Sequence, residues 1–327
     1  MEKKEIKEII NETTDKISDV VSVVGDKTKE LTGKVSEETI KLVDENGNNK
    51  IDLEDFVIKA MRIPGVYVDR TSFLKDALKK YCSEETIEKA VQTNPAKAHI
   101  SKEIVEKAAN DSIALQKSIV TAASTGLGYT PGGIAVDIAT TVADIGQYYA
   151  NILIIVQKLL YLYGYPELDF KADGNGIDDG TMNMILICIG VMAGVDEANK
   201  FLIKVSDLLA KGVPTRLIKM SLTKTLPFKI AAKVTSLMGI KLTKDMFSKG
   251  VGNAIKFAGG LIVGGITFAT FSKCCSNFKK CINNTILCDP NYVDQANVVE
   301  GQYTVEKIEQ ELEEEIGEVE DIKEEDN

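Results

Sequence analysis

Apolar residues recur every three to four positions along most of this 327-residue chain, which is the spacing of a helix that buries one face. No segment alternates apolar and polar residues over the length of a strand bounded by turn residues. Glycine and proline cluster between the periodic segments, as at 126–133 and 164–166. The pattern predicts an all-α protein, a multi-helix bundle with a long apolar central helix over 133–163.

The chain divides into four predicted stretches. Residues 1–35 are predicted as an amphipathic helical extension, 36–62 as a helix–loop–helix, 63–288 as the main helical domain and 289–327 as an acidic, disordered tail. The first ten residues lack the apolar core of a signal peptide, and six cysteines are too sparse for a disulfide scaffold. We therefore expect a cytoplasmic protein whose cysteines act as small apolar residues.

Charge is distributed unevenly along the chain, whose formal net charge is −10. Residues 300–327 carry thirteen acidic and two basic side chains, whereas residues 200–256 carry twelve basic and two acidic ones. The negative net charge argues against a nucleic-acid partner, while the basic region suits an anionic membrane surface. The acidic tail is either solvated, which we favour, or folds back onto the basic region and screens it.

No segment is predicted to span a membrane. The longest charge-free stretches are 118–136, which glycines and a proline interrupt, and 180–195 and 257–272. The last two are shorter than the roughly 20 apolar residues that a spanning helix needs. Association with the membrane surface remains open.

An acidic loop at 44–55, DENGNNKIDLED, matches the calcium-binding loop of an EF-hand in register. Oxygen ligands at alternate positions are what the Ca²⁺ coordination shell requires. The residue at position seven contributes its main-chain carbonyl, and 36–43 and 53–61 are the predicted flanking helices. The predicted ligands, at positions one, three, five, seven, nine and twelve, are Asp44, Asn46, Asn48, Lys50, Asp52 and Asp55.

Two departures from the EF-hand pattern predict a weak site. Asn49 replaces the usual glycine at position six, and Asp55 replaces the usual glutamate, so its shorter arm binds less readily with both oxygens. We expect low affinity or poor rejection of Mg²⁺. The competing interpretation is a polar turn between two helices. A second acidic loop, 173–181, is out of register, and we interpret it as a turn in which Asp178 or Asp179 caps a helix.

A polar seam is predicted along the long apolar helix. Asp137, Asp144, Asn151 and Lys158 recur every seven residues, and buried carboxylates must be paired or hydrogen-bonded. We favour a structural seam facing the lysines of 200–256. The alternative is an enzyme of unknown reaction that uses buried carboxylates around Asp144, although no nucleophile or partner histidine accompanies them and no catalytic residue is predicted.

Several segments resemble EcsC family proteins, over about residues 63–281. The opening is IPGVYVDRTSFLKDALKKYCSEETIEKAVQTNPAKAHIS, from Ile63. The further matching segments are TGLGYTPGG (125–133), VADIGQYYANILIIVQKLLYLYGYPEL (142–168), GVPTRLIKMSLTKT (212–225) and KGVGNAIKFAGGLIVGGITFATF (249–271). Asp144 and Gln147 match the Asp–x–x–Gln element of that family.

The resemblance implies a single bacterial helical domain with no agreed activity and no catalytic residue to transfer. The family is named for a member encoded beside an ABC transporter, which makes a membrane transporter a candidate partner. The calcium loop lies outside the matching segments. Taken together, we expect a non-enzymatic, calcium-binding cytoplasmic protein that docks at the inner membrane surface or on a transporter.

Overall fold

The computed structural model describes residues 44, 45, 47, 53–126, 134–168, 177–225, 265–292 and 303–316. Within these ranges the regular structure consists of ten α-helices and one 3₁₀ turn, Ile286–Cys288, with no strand. The predicted all-α class is confirmed for this part of the chain. The helices are α1 Leu53–Met61, α2 Arg70–Leu78, α3 Glu84–Gln92, α4 Lys102–Gly126, α5 Ile134–Leu162, α6 Asp179–Ala193, α7 Asp196–Ala210, α8 Thr215–Thr225, α9 Gly265–Ile282 and α10 Val305–Ile316.

Local sequence signals set several helix ends. The Ser83 hydroxyl accepts the Thr86 N–H at 3.3 Å and caps α3, as its sequence position predicts. Asp178 accepts the Thr181 N–H at 2.9 Å and caps α6, which confirms the prediction that Asp178 or Asp179 caps this helix; residues 173–176 of the second acidic loop lie outside the described residues. Gly194, with φ of 85°, ends α6 in the left-handed conformation that favours glycine.

The second half of α5 is buried on all its sides. Between residues 149 and 163 every side chain is buried except Ile154 and Lys158, which are half-buried. A helix that is apolar all round must be covered all round. α5 packs against α1, α2, α4, α6 and α9. None of the described helices is long and apolar enough to cross a membrane.

Helices α6 and α8 approach closely at Gly180. A Cβ atom added there would lie 2.6 Å from the Lys219 Cβ atom and 2.7 Å from its carbonyl oxygen. The neighbouring Asn183 side chain donates to the Leu222 carbonyl at 2.7 Å. The approach at Gly180 leaves no room for a side chain, and the Asn183 hydrogen bond holds the two helices together beside it.

The acidic segment expected to be disordered contains a packed helix. α10 lies against α7 and α8, and its Ile308 and Leu312 side chains are fully buried. The expectation of disorder is therefore wrong for residues 303–316. The physical reason is that two aliphatic residues four positions apart share one face of a helix, so that even a glutamate-rich segment has an apolar stripe to bury.

The variant Gly180→Ala should destabilise the protein by about 1–3 kcal/mol, because the new methyl group overlaps the α8 backbone. The matched control is Gly146→Ala in α5, where the added Cβ would meet only the Lys59 Cγ atom, at 4.0 Å. That control should be neutral or stabilising by roughly 0.5–1 kcal/mol. Urea unfolding compares the two, and equal effects would refute the close approach.

Candidate functional site

The predicted calcium loop is described at its two ends. The Asp44 Oδ1 atom accepts the Gly47 N–H at 2.7 Å, and the Asp55 Oδ1 atom accepts the Glu45 N–H at 2.8 Å. Asp55 is fully buried. The last predicted ligand therefore contacts the main chain of Glu45, the residue that follows the first predicted ligand.

The remaining predicted ligands lie outside the described residues, as does the predicted entering helix over 36–43. Among the residues that are described, no group of three or more histidine, cysteine, aspartate or glutamate side chains could hold a metal ion. Asp44 and Asp55 are hard oxygen donors at the two closing positions, and both fit the chemistry of a Ca²⁺ loop. The complete ligand set stays a prediction. The four predicted ligands that lie outside the described residues are Asn46, Asn48, Lys50 and Asp52.

Two ion pairs connect the loop to the C-terminal end of α1. The Glu45 side chain, only 16 % exposed, pairs with Lys59 at 3.2 Å and with Arg62. Lys59 lies in the last turn of α1, and Arg62 directly follows the last helical residue, Met61. Sequence reasoning missed Glu45 because position two of the loop supplies no ligand. The sequence signal that could have indicated a role for Glu45 was the pair of cations, Lys59 and Arg62, at the end of the exiting helix.

The end of the loop continues directly into the core. Asp55 is followed by Phe56, which is fully buried, and the Phe56 ring stacks on Tyr149 of α5 with centroids 6.0 Å apart. Leu53 and Val57 are also buried in this contact between α1 and α5. A displacement of the Asp55 backbone therefore has to be accommodated by the packing of Phe56 on α5.

The polar seam on α5 has a different partner from the one predicted. The Lys158 ammonium donates to the Gln116 side-chain oxygen of α4 at 3.2 Å. The Gln116 amide in turn donates to Asn151 at 2.7 Å, and Asn151 donates to the Gln147 carbonyl at 2.7 Å. The described partner is thus a glutamine of α4, whereas the prediction placed lysines of 200–256 there. An amide serves this role because it both donates and accepts.

Burial affects the charge of the seam. The half-buried Lys158 side chain has its pKa lowered by desolvation, and its described hydrogen bond is to a neutral amide. The side chains of Asp137 and Asp144 lie outside the described residues, although both belong to α5. Gln147 is exposed. The enzymatic alternative around Asp144 therefore stays a prediction.

The acidic helix α10 is held by both apolar and polar contacts. α10 packs against α7 and α8 with Ile308 and Leu312 fully buried, and full burial of each aliphatic side chain is worth about 1.5–3 kcal/mol. Glu311 pairs with Lys204 of α7 at 3.1 Å. The Ser221 hydroxyl of α8 shares its proton between the Leu217 carbonyl, at 2.9 Å, and the Val305 carbonyl, at 3.1 Å. For this part of the tail, the structure matches the alternative in which it folds back onto the basic helices.

A surface recess of about 510 Å³ lies at the N-terminal ends of α6 and α8. Its charged lining includes Asp178, Arg216 and Lys219. Asp178 already caps α6 and pairs with Lys219 at 3.2 Å. The recess therefore offers mutually paired charges and an exposed arginine, which is not a constellation that performs a recognisable reaction.

The six cysteines are all reduced, and five of them are buried. Burial raises the pKa of the Cys275 thiol to about 12 and that of Cys281 to about 11. Thiols of such high pKa are poor nucleophiles at neutral pH. The cysteines thus serve as small core residues, as expected.

Comparison with known proteins finds no matching family model, no matching curated protein and no matching solved structure. The resemblance to EcsC proteins is accordingly a proposal.

The variant Gln116→Leu should lower the free energy of unfolding by about 2 kcal/mol or more. It leaves Lys158 and Asn151 buried without their partner, and each stranded polar group costs about 1–3 kcal/mol. Urea unfolding measures the loss. Gln92→Leu is the control, since Gln92 is largely solvent-exposed and makes only a long bond of 3.4 Å to Glu88. A loss no larger than that of the control would mean that Gln116 does not organise the seam.

Proposed function

We propose that this chain is a non-enzymatic, calcium-binding helical protein, in which loop 44–55 binds Ca²⁺ and α1 carries the effect of binding to α5. The observation that carries the proposal is the position of Asp55. Its carboxylate accepts the Glu45 N–H at 2.8 Å, while the next residue stacks on Tyr149. The closing ligand of the loop is thus directly connected to the core.

The proposed affinity is low. Asp55 has a shorter side chain than the glutamate that usually closes an EF-hand loop. Coordination of the ion by both carboxylate oxygens would therefore require the backbone at Asp55 to move closer to the ion. A dissociation constant on the order of 10⁻⁵ to 10⁻³ M is expected for such a site. Mg²⁺ should compete, since it binds through fewer protein ligands.

The proposal places the protein in the cytoplasm, at the inner membrane surface or on a membrane transporter. Support comes from the basic region 200–256, with twelve cations against two acids, since polybasic surfaces are attracted to anionic lipids. The EcsC-like segments over 63–281 support a transporter as the partner. Pairing of Lys204 with Glu311 of α10 would restrain this attraction by neutralising part of the basic surface.

Isothermal titration of the full-length protein with Ca²⁺ should give a saturable heat in the range stated above. Asp44→Ala should weaken binding by about tenfold or more, because it removes the first carboxylate ligand. The control Asp76→Ala, at an exposed carboxylate paired with Lys79, should leave the titration unchanged. Absence of binding to the wild type, or equal heats for the wild type and Asp44→Ala, would contradict the proposal.

A further inference from the structure

We infer that the groove between α7 and α8 is a docking site for an acidic amphipathic helix of a partner protein, and that α10 occupies it as an intramolecular, displaceable ligand. This inference goes beyond calcium binding. The groove is formed by helices other than α1 and α5, which carry the proposed calcium site, so each proposal can fail without the other.

The seat of α10 has the features of specific recognition of a helix. Ile308 and Leu312, one helical turn apart, are both fully buried in the groove. At the first turn, the Ser221 hydroxyl lies 3.1 Å from the Val305 carbonyl and shares its single proton between that oxygen and the Leu217 carbonyl, at 2.9 Å. The pair between Lys204 and Glu311, at 3.1 Å, holds the second turn. Apolar anchors four residues apart, accompanied by polar contacts beside each anchor, are how grooves recognise amphipathic helices and select their register.

Charge complementarity indicates what kind of helix fits. α10 carries six glutamates and one lysine, whereas α8 carries three basic residues and no acidic one. Lys204 is only 20 % exposed at its side chain beneath Glu311. A basic helix would bring like charges together at this position. The fitting ligand is therefore an acidic helix with an aliphatic residue, an acid three positions later and a second aliphatic residue after that.

The attachment of α10 makes exchange with a partner feasible. Ten residues, 293–302, separate Tyr292 from the segment that begins at Tyr303. A ligand tethered through so short a connection is present at a high effective concentration, so α10 outcompetes a free helix of similar affinity. A partner would bind measurably once α10 is weakened, or when it is itself presented at high local concentration.

The test uses the full-length protein and a fluorescein-labelled peptide of residues 303–316. Leu312→Asp in the full chain puts a charge into the groove and should release α10, so that this variant binds the peptide about tenfold or more tightly than the wild type does. Gln310→Asp adds the same charge on the exposed face of α10 and should behave as the wild type. The peptide that carries Leu312→Asp should not bind.

Charge exchange tests the register. Adding Lys204→Glu to the Leu312→Asp chain should weaken binding of the wild-type peptide, and a peptide carrying Glu311→Lys should recover it. The inference is overturned if the folded Leu312→Asp chain binds the peptide no better than the wild type, or binds both peptides equally. It is also overturned if that chain gains binding to vesicles containing phosphatidylserine but does not bind the wild-type peptide, because the groove would then be a membrane-binding surface.

A second measurement covers the case in which Leu312→Asp does not fold. In the wild-type chain, excess unlabelled peptide should displace α10 and accelerate tryptic cleavage after Lys307, an exposed residue of that helix. The peptide that carries Leu312→Asp should leave the cleavage rate unchanged. Equal cleavage rates with and without the wild-type peptide would overturn the inference.

Discussion

The burial of α5 between residues 149 and 163 is the constraint on which the rest of the described structure depends. A helix covered on all sides leaves little water for its polar groups, so a buried amide or ammonium there is costly unless it has a protein partner. Gln157 illustrates this, because it accepts the Val68 N–H at 3.0 Å and donates to the Val66 carbonyl at 2.7 Å. Through these two hydrogen bonds, Gln157 holds the segment that leads into α2 in place.

Contacts with the buried part of α5 also position two other helices, α4 and α1. Asn151 and Lys158 both form hydrogen bonds with Gln116, and these bonds set the register between α4 and α5. Tyr149 receives Phe56, which anchors α1 and with it the end of the acidic loop. The core thus determines where the last predicted calcium ligand lies. In the proposed calcium site, metal affinity would be coupled to core packing through the backbone of two adjacent residues, Asp55 and Phe56.

The sequence predicted elements better than it predicted pairings. Helical spacing and capping residues such as Ser83 act locally, so they located α3 and its neighbours. The partners of the seam depend on which helices lie side by side, and nothing near Asn151 indicates that Gln116 will face it. The prediction of disorder for the acidic tail was based on its average composition. The packing of α10 depends instead on two individual residues, Ile308 and Leu312, which an average does not show. Glu45 was missed because the loop pattern describes ligands and not their supports.

Hydrogen exchange with and without Ca²⁺ tests the central claim most directly, since the claim is that loop closure at Asp55 is transmitted through Phe56 to α5. The account predicts that saturating Ca²⁺ slows amide exchange in α1 and around Tyr149, with no change in α10, and that Asp44→Ala abolishes the effect. Unchanged exchange in α1 at saturating Ca²⁺, or an identical response in Asp44→Ala, would contradict it.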